Sequence, residues 1–243
     1  KDWEFTAGAS LNGSKLNFRR LAPGPLPRQD RTLSDQLTPR LAIARKFNNF
    51  TVYTSVSKGF SPPTSAELLP SGSNINLELE PEEGTNYDLG FRGTFFNGLN
   101  VDVNAFYFRL KNTIVQRRDA GGGDYFINAG KTSQKGLETS LQYNLWRNSP
   151  ALRQASLWLN HTYHHFRYKD FNPVSGDYSG NALPGVAPHV VSAGADITLR
   201  SGLLGTLTYY YNSSTPLNDA NTEKANAFHV LGARLGFEML LKQ

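Results

Sequence analysis

His161, His164 and His165 crowd the end of one stretch of this 243-residue chain, and His189 closes the polar segment that follows. Imidazole nitrogens ligate transition metals, so the cluster raises metal or haem capture as a chemistry to weigh. In extended backbone, side chains alternate. His161 and His165 then share a face and His164 takes the other, so the run by itself makes no compact site. No resident metal and no cofactor is expected. Arg117, Arg118 and Tyr125 flank Gly121-Gly122-Gly123. These glycines lack the lysine and following helix of a phosphate loop and fit a flexible tip instead. Charge and hydrogen bonding from the two arginines and the tyrosine suit an anionic complex, and suit a lipopolysaccharide phosphate equally. Arg117, Arg118, Tyr125, His164 and His165 are therefore the candidate ligand contacts. Glu78, Glu80, Glu82 and Glu83 gather carboxylates, but nothing marks one of them as a proton donor. No Ser, His and Asp stand at a spacing that reads as a triad, so no catalytic residue is assigned.

The elements that must position these residues are strands. Trp3, Phe5, Ala7, Ala9 and Leu11 alternate with Asp2, Glu4, Thr6, Gly8 and Ser10. The same two-residue period recurs through Phe50–Ser57, Thr85–Phe95, Leu99–Tyr107, Leu137–Leu145, Val191–Leu199 and Leu231–Met239. Shorter apolar runs near Leu41, Ala155 and Leu203 bring the number of strands to about ten. Short turns are read at Lys46–Asn49, Phe96–Gly98, Trp146–Pro150 and Arg200–Gly202, spaced about 50 residues apart. Asn97-Gly98 is a strong hairpin signal. Long polar loops alternate with the turns, near 12–36, 61–81, 111–133, 166–188 and 213–227. Long strands with short turns at one end and long loops at the other describe a transmembrane β-barrel.

Composition permits this. No run of 18 apolar residues exists, so no helix crosses a membrane, but a barrel wall needs only alternation over about 9–11 residues. Eleven tyrosines and fifteen phenylalanines can supply girdles at the water–lipid boundaries. The polar face carries Asp88, Arg92, Asp102, Glu138, Asp196, Arg234 and Glu238, which would be costly in a dry core and are acceptable in a wet or plugged lumen. Solvent on the open face of a soluble sheet would also accept them. Cysteine is absent, which excludes disulfide chemistry. A net charge of +5 with scattered basic pairs suits anionic headgroups and gives no stripe for nucleic acid.

Three segments resemble a known family: Ser57-Lys58-Gly59-Phe60-Ser61-Pro62-Pro63-Thr64-Ser65-Ala66-Glu67-Leu68; Leu79-Glu80-Pro81-Glu82-Glu83-Gly84 with Thr85-Asn86-Tyr87-Asp88-Leu89-Gly90-Phe91-Arg92-Gly93; and Asn128-Ala129-Gly130 followed by Gly136-Leu137-Glu138. In this order they are similar to the barrel of TonB-dependent outer-membrane receptors. Leu183-Pro184-Gly185-Val186-Ala187-Pro188-His189 fits the same pattern. Pro62-Pro63 should end a strand, Pro63–Glu67 should start a short helix, and Gly136 should sit where backbone approaches closely. The resemblance implies a bacterial outer membrane location, a barrel of about 22 strands, a plug domain filling it, and import energised through TonB. It implies a cargo such as a ferric siderophore, haem, cobalamin or a glycan, bound by outer loops and plug. On this basis residues 1–243 are expected to be a partial barrel. The plug, the TonB box and the remaining strands would lie outside them.

Two other functions use the same strands. A complete ten-stranded barrel could be an enzyme with a protease-like site among Asp and His of 161–189, or a structural or adhesive barrel. Either requires the strand near Trp3 to pair with the strand near Phe237.

Overall fold

Alternation in the sequence becomes one continuous wall. The computed structural model describes residues 2–19, 28–68, 76, 78–96, 98–119, 121–128, 130–146, 150–173 and 176–238. Of the residues named above, Asn97, Ala129, 147–149 and Met239 lie outside these. In chain order the strands are β1 (Trp3–Phe18), β2 (Gln29–Lys46), β3 (Phe50–Ser61), β4 (Glu82–Phe95), β5 (Leu99–Lys111), β6 (Ile114–Arg118), β7 (Asp124–Asn128), β8 (Lys131–Trp146), β9 (Leu152–Asp170), β10 (His189–Leu199), β11 (Leu203–Asn212), β12 (Thr215–Pro216), β13 (Lys224–Ala225) and β14 (Phe228–Phe237). A single helical turn, α1 (Ser65–Leu68), follows β3.

Ten strands form one antiparallel sheet in the order β1-β2-β3-β4-β5-β8-β9-β10-β11-β14. Every neighbour in it is also the next long strand in the chain, which is the up-and-down arrangement of hairpins. β1 and β14 stand at opposite edges and do not pair, so the sheet is an open part of a barrel. The wall does not close on itself as the enzyme and adhesive alternatives require.

Register assigns the two faces. One row across the ladder reads Phe5, Ile43, Thr54, Leu89, Ala105, Leu137 and Tyr163. A row on the other face reads Thr51, Arg92, Asp102, Ser140, Asn160 and Ser192. A step of one residue changes apolar for polar, as the period-two pattern demands. On the apolar face Phe5 is 71 %, Leu89 59 % and Leu235 82 % exposed. Among the described residues no second sheet or helix layer covers the Leu137, Leu141 and Leu145 row. An apolar surface of this extent needs a nonaqueous cover, which acyl chains provide.

The short turns read at Lys46–Asn49 and Arg200–Gly202 lie between consecutive strands, and the other two include residues outside the described ones. Phe96, at φ 47°, and Gly202, at φ 94°, adopt the left-handed conformation that such tight reversals use. The long loops are shorter than expected. β1 runs to Phe18 and β2 starts at Gln29, so most of 12–36 is strand. Within 111–133 a separate hairpin, β6–β7, folds. β1, β2 and β9 reach 16, 18 and 19 residues, far beyond the span of a bilayer. Past the lipid both faces of a strand meet water, so the apolar alternation that marks a strand in sequence disappears there.

Candidate ligand-facing loop cluster

At the long-loop end, four segments are tied into one layer. Pro62 and Pro63 end β3 after Ser61, since neither supplies the amide a ladder needs. Thr64 then caps α1: its hydroxyl accepts from the Glu67 amide at 3.3 Å, and the Glu67 carboxylate accepts from the Thr64 amide at 2.6 Å. This fixes Leu68, which is fully buried, as is Leu79 at the return of the loop. The Arg31 guanidinium donates to the Leu79 carbonyl and ties the return segment to β2.

Asn128 clamps that return to the β6–β7 hairpin. Its Nδ2 donates to the Asn112 carbonyl at 2.6 Å and the Glu80 carbonyl at 3.0 Å, and its Oδ1 accepts from the Glu80 amide at 2.9 Å. Asn112 donates in turn to the Glu80 carboxylate at 2.7 Å. Next to it, Glu82 accepts from the Ile114 amide at 2.7 Å. Burial pushes the Glu82 carboxyl above the ordinary carboxylate value, and the Ile114 amide only partly opposes this. Of the carboxylates that the sequence brings together around 78–83, Glu80 and Glu82 thus hold the hairpin.

The hairpin lies over a small apolar core. Tyr168 and Phe171 are buried with rings 4.6 Å apart, and Val115, Ile127, Tyr178 and Leu183 pack around them. Asp219, from the β11–β14 loop, reaches into this core. It accepts from the Tyr168 hydroxyl at 2.7 Å and pairs with the Arg117 guanidinium at 2.9 Å. Arg117 also lies over the Phe171 ring at 5.1 Å. Burial, and then the hydrogen bond to Asp219, raise the Tyr168 phenol above tyrosine's ordinary value. Asn221, at φ 57°, exchanges two hydrogen bonds with the Ala182 backbone at 2.8 and 2.9 Å and so joins the last two loops.

The candidate residues divide accordingly. Arg117 and Tyr125 face each other across the hairpin ladder and are half-buried on the side that meets the core. Arg118 pairs with Asp124 in the same ladder, and its side chain lies outside what the structure describes. His164 is on the polar face, its Nδ1 2.9 Å from the Ala187 carbonyl and its ring edge-on to Phe166. His165 is on the apolar face beside Tyr163, so the structure does not bring it together with His164. His161 shares that outer face and stacks on His189, with Nε2 and Nδ1 3.1 Å apart. Among the described residues no three His, Asp or Glu side chains converge on a point a metal ion could occupy. Asp219 and Tyr168 are contributors that the sequence does not flag, because nothing local distinguishes them from other loop residues.

Below the loops, the inner wall handles its charges by hydrogen bonding. Asp88 accepts from Ser55 at 2.9 Å and Asn86 at 2.7 Å, and Asp196 accepts from the Trp158 indole at 3.1 Å and Thr206 at 2.9 Å. Large rings occupy the space beside glycines of the neighbouring strand: Tyr53 at Gly90, Phe108 at Gly84, Phe106 at Gly136 and Trp158 at Gly194. A Cβ at Gly136 would also meet the Tyr163 carbonyl, which is the close backbone approach expected there. An inner face lined by rings and hydrogen-bonded carboxylates suits water or an inserted domain.

An open antiparallel wall with a lipid-type outer face, a polar lumen and a structured loop layer at one end defines a piece of an outer-membrane β-barrel. The family model for the TonB-dependent receptor-like β-barrel matches residues 1–241, and the chain belongs to that family. Barrels of this family reside in the bacterial outer membrane. The sheet superposes on the ferric yersiniabactin uptake receptor FyuA of Yersinia pestis with a TM-score of 0.70 and 21 % identity, over 97 % of this chain and 35 % of that one. It superposes on the siderophore receptor PiuA of Acinetobacter baumannii with a TM-score of 0.76 and 19 % identity, over 98 % and 35 %. For the copper transporter OprC the values are 0.77 and 15 %, over 98 % and 37 %. The chain therefore spans about a third of the length of these structures.

Proposed function

We propose that the receptor containing this chain imports a scarce nutrient, a ferric siderophore or another iron complex, with energy delivered through TonB. These residues supply part of the wall and of the outer loops. Further strands complete the barrel by pairing with β1 and β14, and a plug domain occupies the lumen. The observation that carries this reading is the open sheet itself. Its two edges need strand partners that lipid cannot replace, and its polar face needs filling. That the similar folds include receptors for ferric siderophores supports the cargo class, and the copper transporter among them marks its nearest competitor.

Within this reading the outer loop layer contacts the cargo. Arg118 adds a charge to this hairpin, Arg117 and Tyr125 lie on its core-facing side with Arg117 paired to Asp219, and His164 lies on the polar face. His165 contributes only if cargo passes along the outer face. The test is isothermal titration of the intact receptor with ferric siderophores, haem, cobalamin and a copper(II) complex. Binding confined to a ferric chelate is the expected outcome. Binding of copper alone, or of none, would reject the iron assignment. Arg118→Ala and Tyr125→Phe should each weaken an anionic chelate several-fold; unchanged affinity in both removes the hairpin from the site.

A further inference from the structure

Four of the five histidines stand on the outer face of the wall, and two of them converge. In the β9–β10 ladder His161 is opposite Val191 and His189 is opposite Tyr163, so the two histidines are diagonal neighbours on one face. His161 Nε2 and His189 Nδ1 are 3.1 Å apart, and the rings lie within 6° of parallel. Both backbones are fixed: His161 sits inside β9, and the His189 amide and carbonyl each bond to Ser213 at 2.9 Å. The Tyr163 ring, 5.0 Å from that of His189, limits its swing. His165 and His229 are each beside a tyrosine instead, 3.4 Å from the Tyr163 hydroxyl and 2.8 Å from the Tyr209 hydroxyl. β10, β11 and β14 have 11, 10 and 10 residues, the length of one tilted membrane crossing. β10 begins at exposed His189 on the long-loop side, which places the pair at the outer water–lipid boundary, open to dissolved ions.

We propose that His161 and His189 chelate a divalent late transition ion, copper(II) ahead of nickel(II) or zinc(II), as a bridge between β9 and β10. Distance, donor type and rigidity select that ligand. With metal–nitrogen bonds of about 2.0–2.1 Å, nitrogens 3.1 Å apart subtend about 95–102° at the ion, which is the angle of two adjacent coordination positions. Two neutral imidazoles favour late transition ions, copper(II) most, over magnesium or calcium, which prefer oxygen. No third His, Asp or Glu joins them among the described residues, so water fills the other positions. Without an ion, one proton is shared between the facing nitrogens. On binding, that proton moves to the far nitrogen of its own ring, both facing lone pairs go to the ion, and no proton is released. The ladder already holds both side chains, so little ordering opposes chelation. The proposal rests on the pairing of β9 with β10 and not on the cargo. The site lies outside the lumen, and an ion carried in a tight multidentate chelate does not transfer to two imidazoles.

The test uses the whole receptor in detergent, without a polyhistidine tag, and one equivalent of copper(II) read by electron paramagnetic resonance. The spectrum should show hyperfine splitting from two nitrogens. His161→Gln and His189→Gln should each lower copper affinity at least tenfold, and the double variant should lose the two-nitrogen signal. His229→Gln, on the same face, should change neither. A two-nitrogen signal that survives in the double variant overturns the proposal, as does unchanged affinity in both single variants. Displacement of the ion by millimolar magnesium would mean a nonselective cation site and also overturn it. A second measurement needs no variant: zinc(II) should protect His161 and His189 from carbethoxylation by diethyl pyrocarbonate, read by peptide mass spectrometry, and should leave His165 and His229 reactive. Equal protection of all four, or of none, overturns the proposal even where a variant fails to form a heat-modifiable barrel.

Discussion

Asp219 is the residue whose loss should loosen the loop layer while leaving the wall intact. Its carboxylate holds the Tyr168 hydroxyl at 2.7 Å and Arg117 at 2.9 Å, and the Arg117 and Asp219 side chains are only 21 % and 17 % exposed. Asp219→Ala strands a guanidinium and a phenol at once. Breaking a fully buried pair costs about 3–5 kcal/mol, and the residual access of water to Arg117 reduces this to about 2–3 kcal/mol. At about 1.4 kcal/mol per decade, the open population of the layer should rise about 30- to 140-fold. Amide hydrogen exchange reads that population directly. Peptides covering Ile114–Asn128 and residues 171–187 should exchange faster by this factor, while β4 and β5 peptides keep their rates. Asp219→Asn, which retains an acceptor for Tyr168, should fall between. An alkaline arm tests the same contact. Tyr168 is raised above its ordinary value by burial and by Asp219, so an opened phenol ionises from about pH 10 while the packed one stays protonated. The contribution is whole below that pH and is lost as pH climbs towards the packed value. Protection should therefore fall above about pH 10, and Tyr168→Phe should abolish the slope. Unchanged loop exchange in Asp219→Ala, or a uniform rise that includes β4 and β5, would refute the account of a separately stabilised layer.

Leu89→Arg, on the lipid side, should destabilise the folded barrel by about 2–4 kcal/mol in a urea refolding titration into vesicles, whereas Ser140→Arg, on the lumen side, should cost little. Equal costs would reverse the assignment of faces. Gly136→Ala should cost about 1–3 kcal/mol in the same titration, because its Cβ meets the Tyr163 backbone as well as the Phe106 ring, and a backbone carbonyl cannot swing aside. A neutral Gly136→Ala would mean that the sheet relaxes there. Glu82 titrates above the ordinary carboxylate value through burial, so its effect is most favourable below about pH 4.5 and is lost as pH rises through the packed value. Glu82→Gln keeps an acceptor for Ile114 without a charge. It should leave hairpin exchange at pH 7 unchanged or slower, and faster exchange would show that the charge itself holds the amide.

The face assignment was legible because lipid imposes a period of two: Leu89, Tyr107 and Leu137 all fall on the expected side, and so does Asp88 on the other. The cap at Thr64, the strand end before Pro62 and the close approach at Gly136 were legible for local reasons, each written in adjacent residues. The loop layer was not. Tyr168 lies 51 positions from Asp219 and Asn128 lies 48 from Glu80, and the side chains involved are common loop residues. His161 and His189 likewise meet only because β9 and β10 pair. The outward direction of the basic residues at the long-loop ends of β3, β5, β8 and β9 was hidden for a further reason. Inside the bilayer a polar side chain must turn to the lumen, so polarity reports direction. Where β3, β5, β8 and β9 emerge, either face can carry charge, and Lys58, Lys111 and Lys131 look like ordinary loop or strand-end lysines. Direction there is fixed only by continuing the alternation upward from Val56, Tyr107 and Leu137, through residues whose own polarity says nothing. The same loss of signal that made the loops look longer than they are also concealed which cations face the membrane.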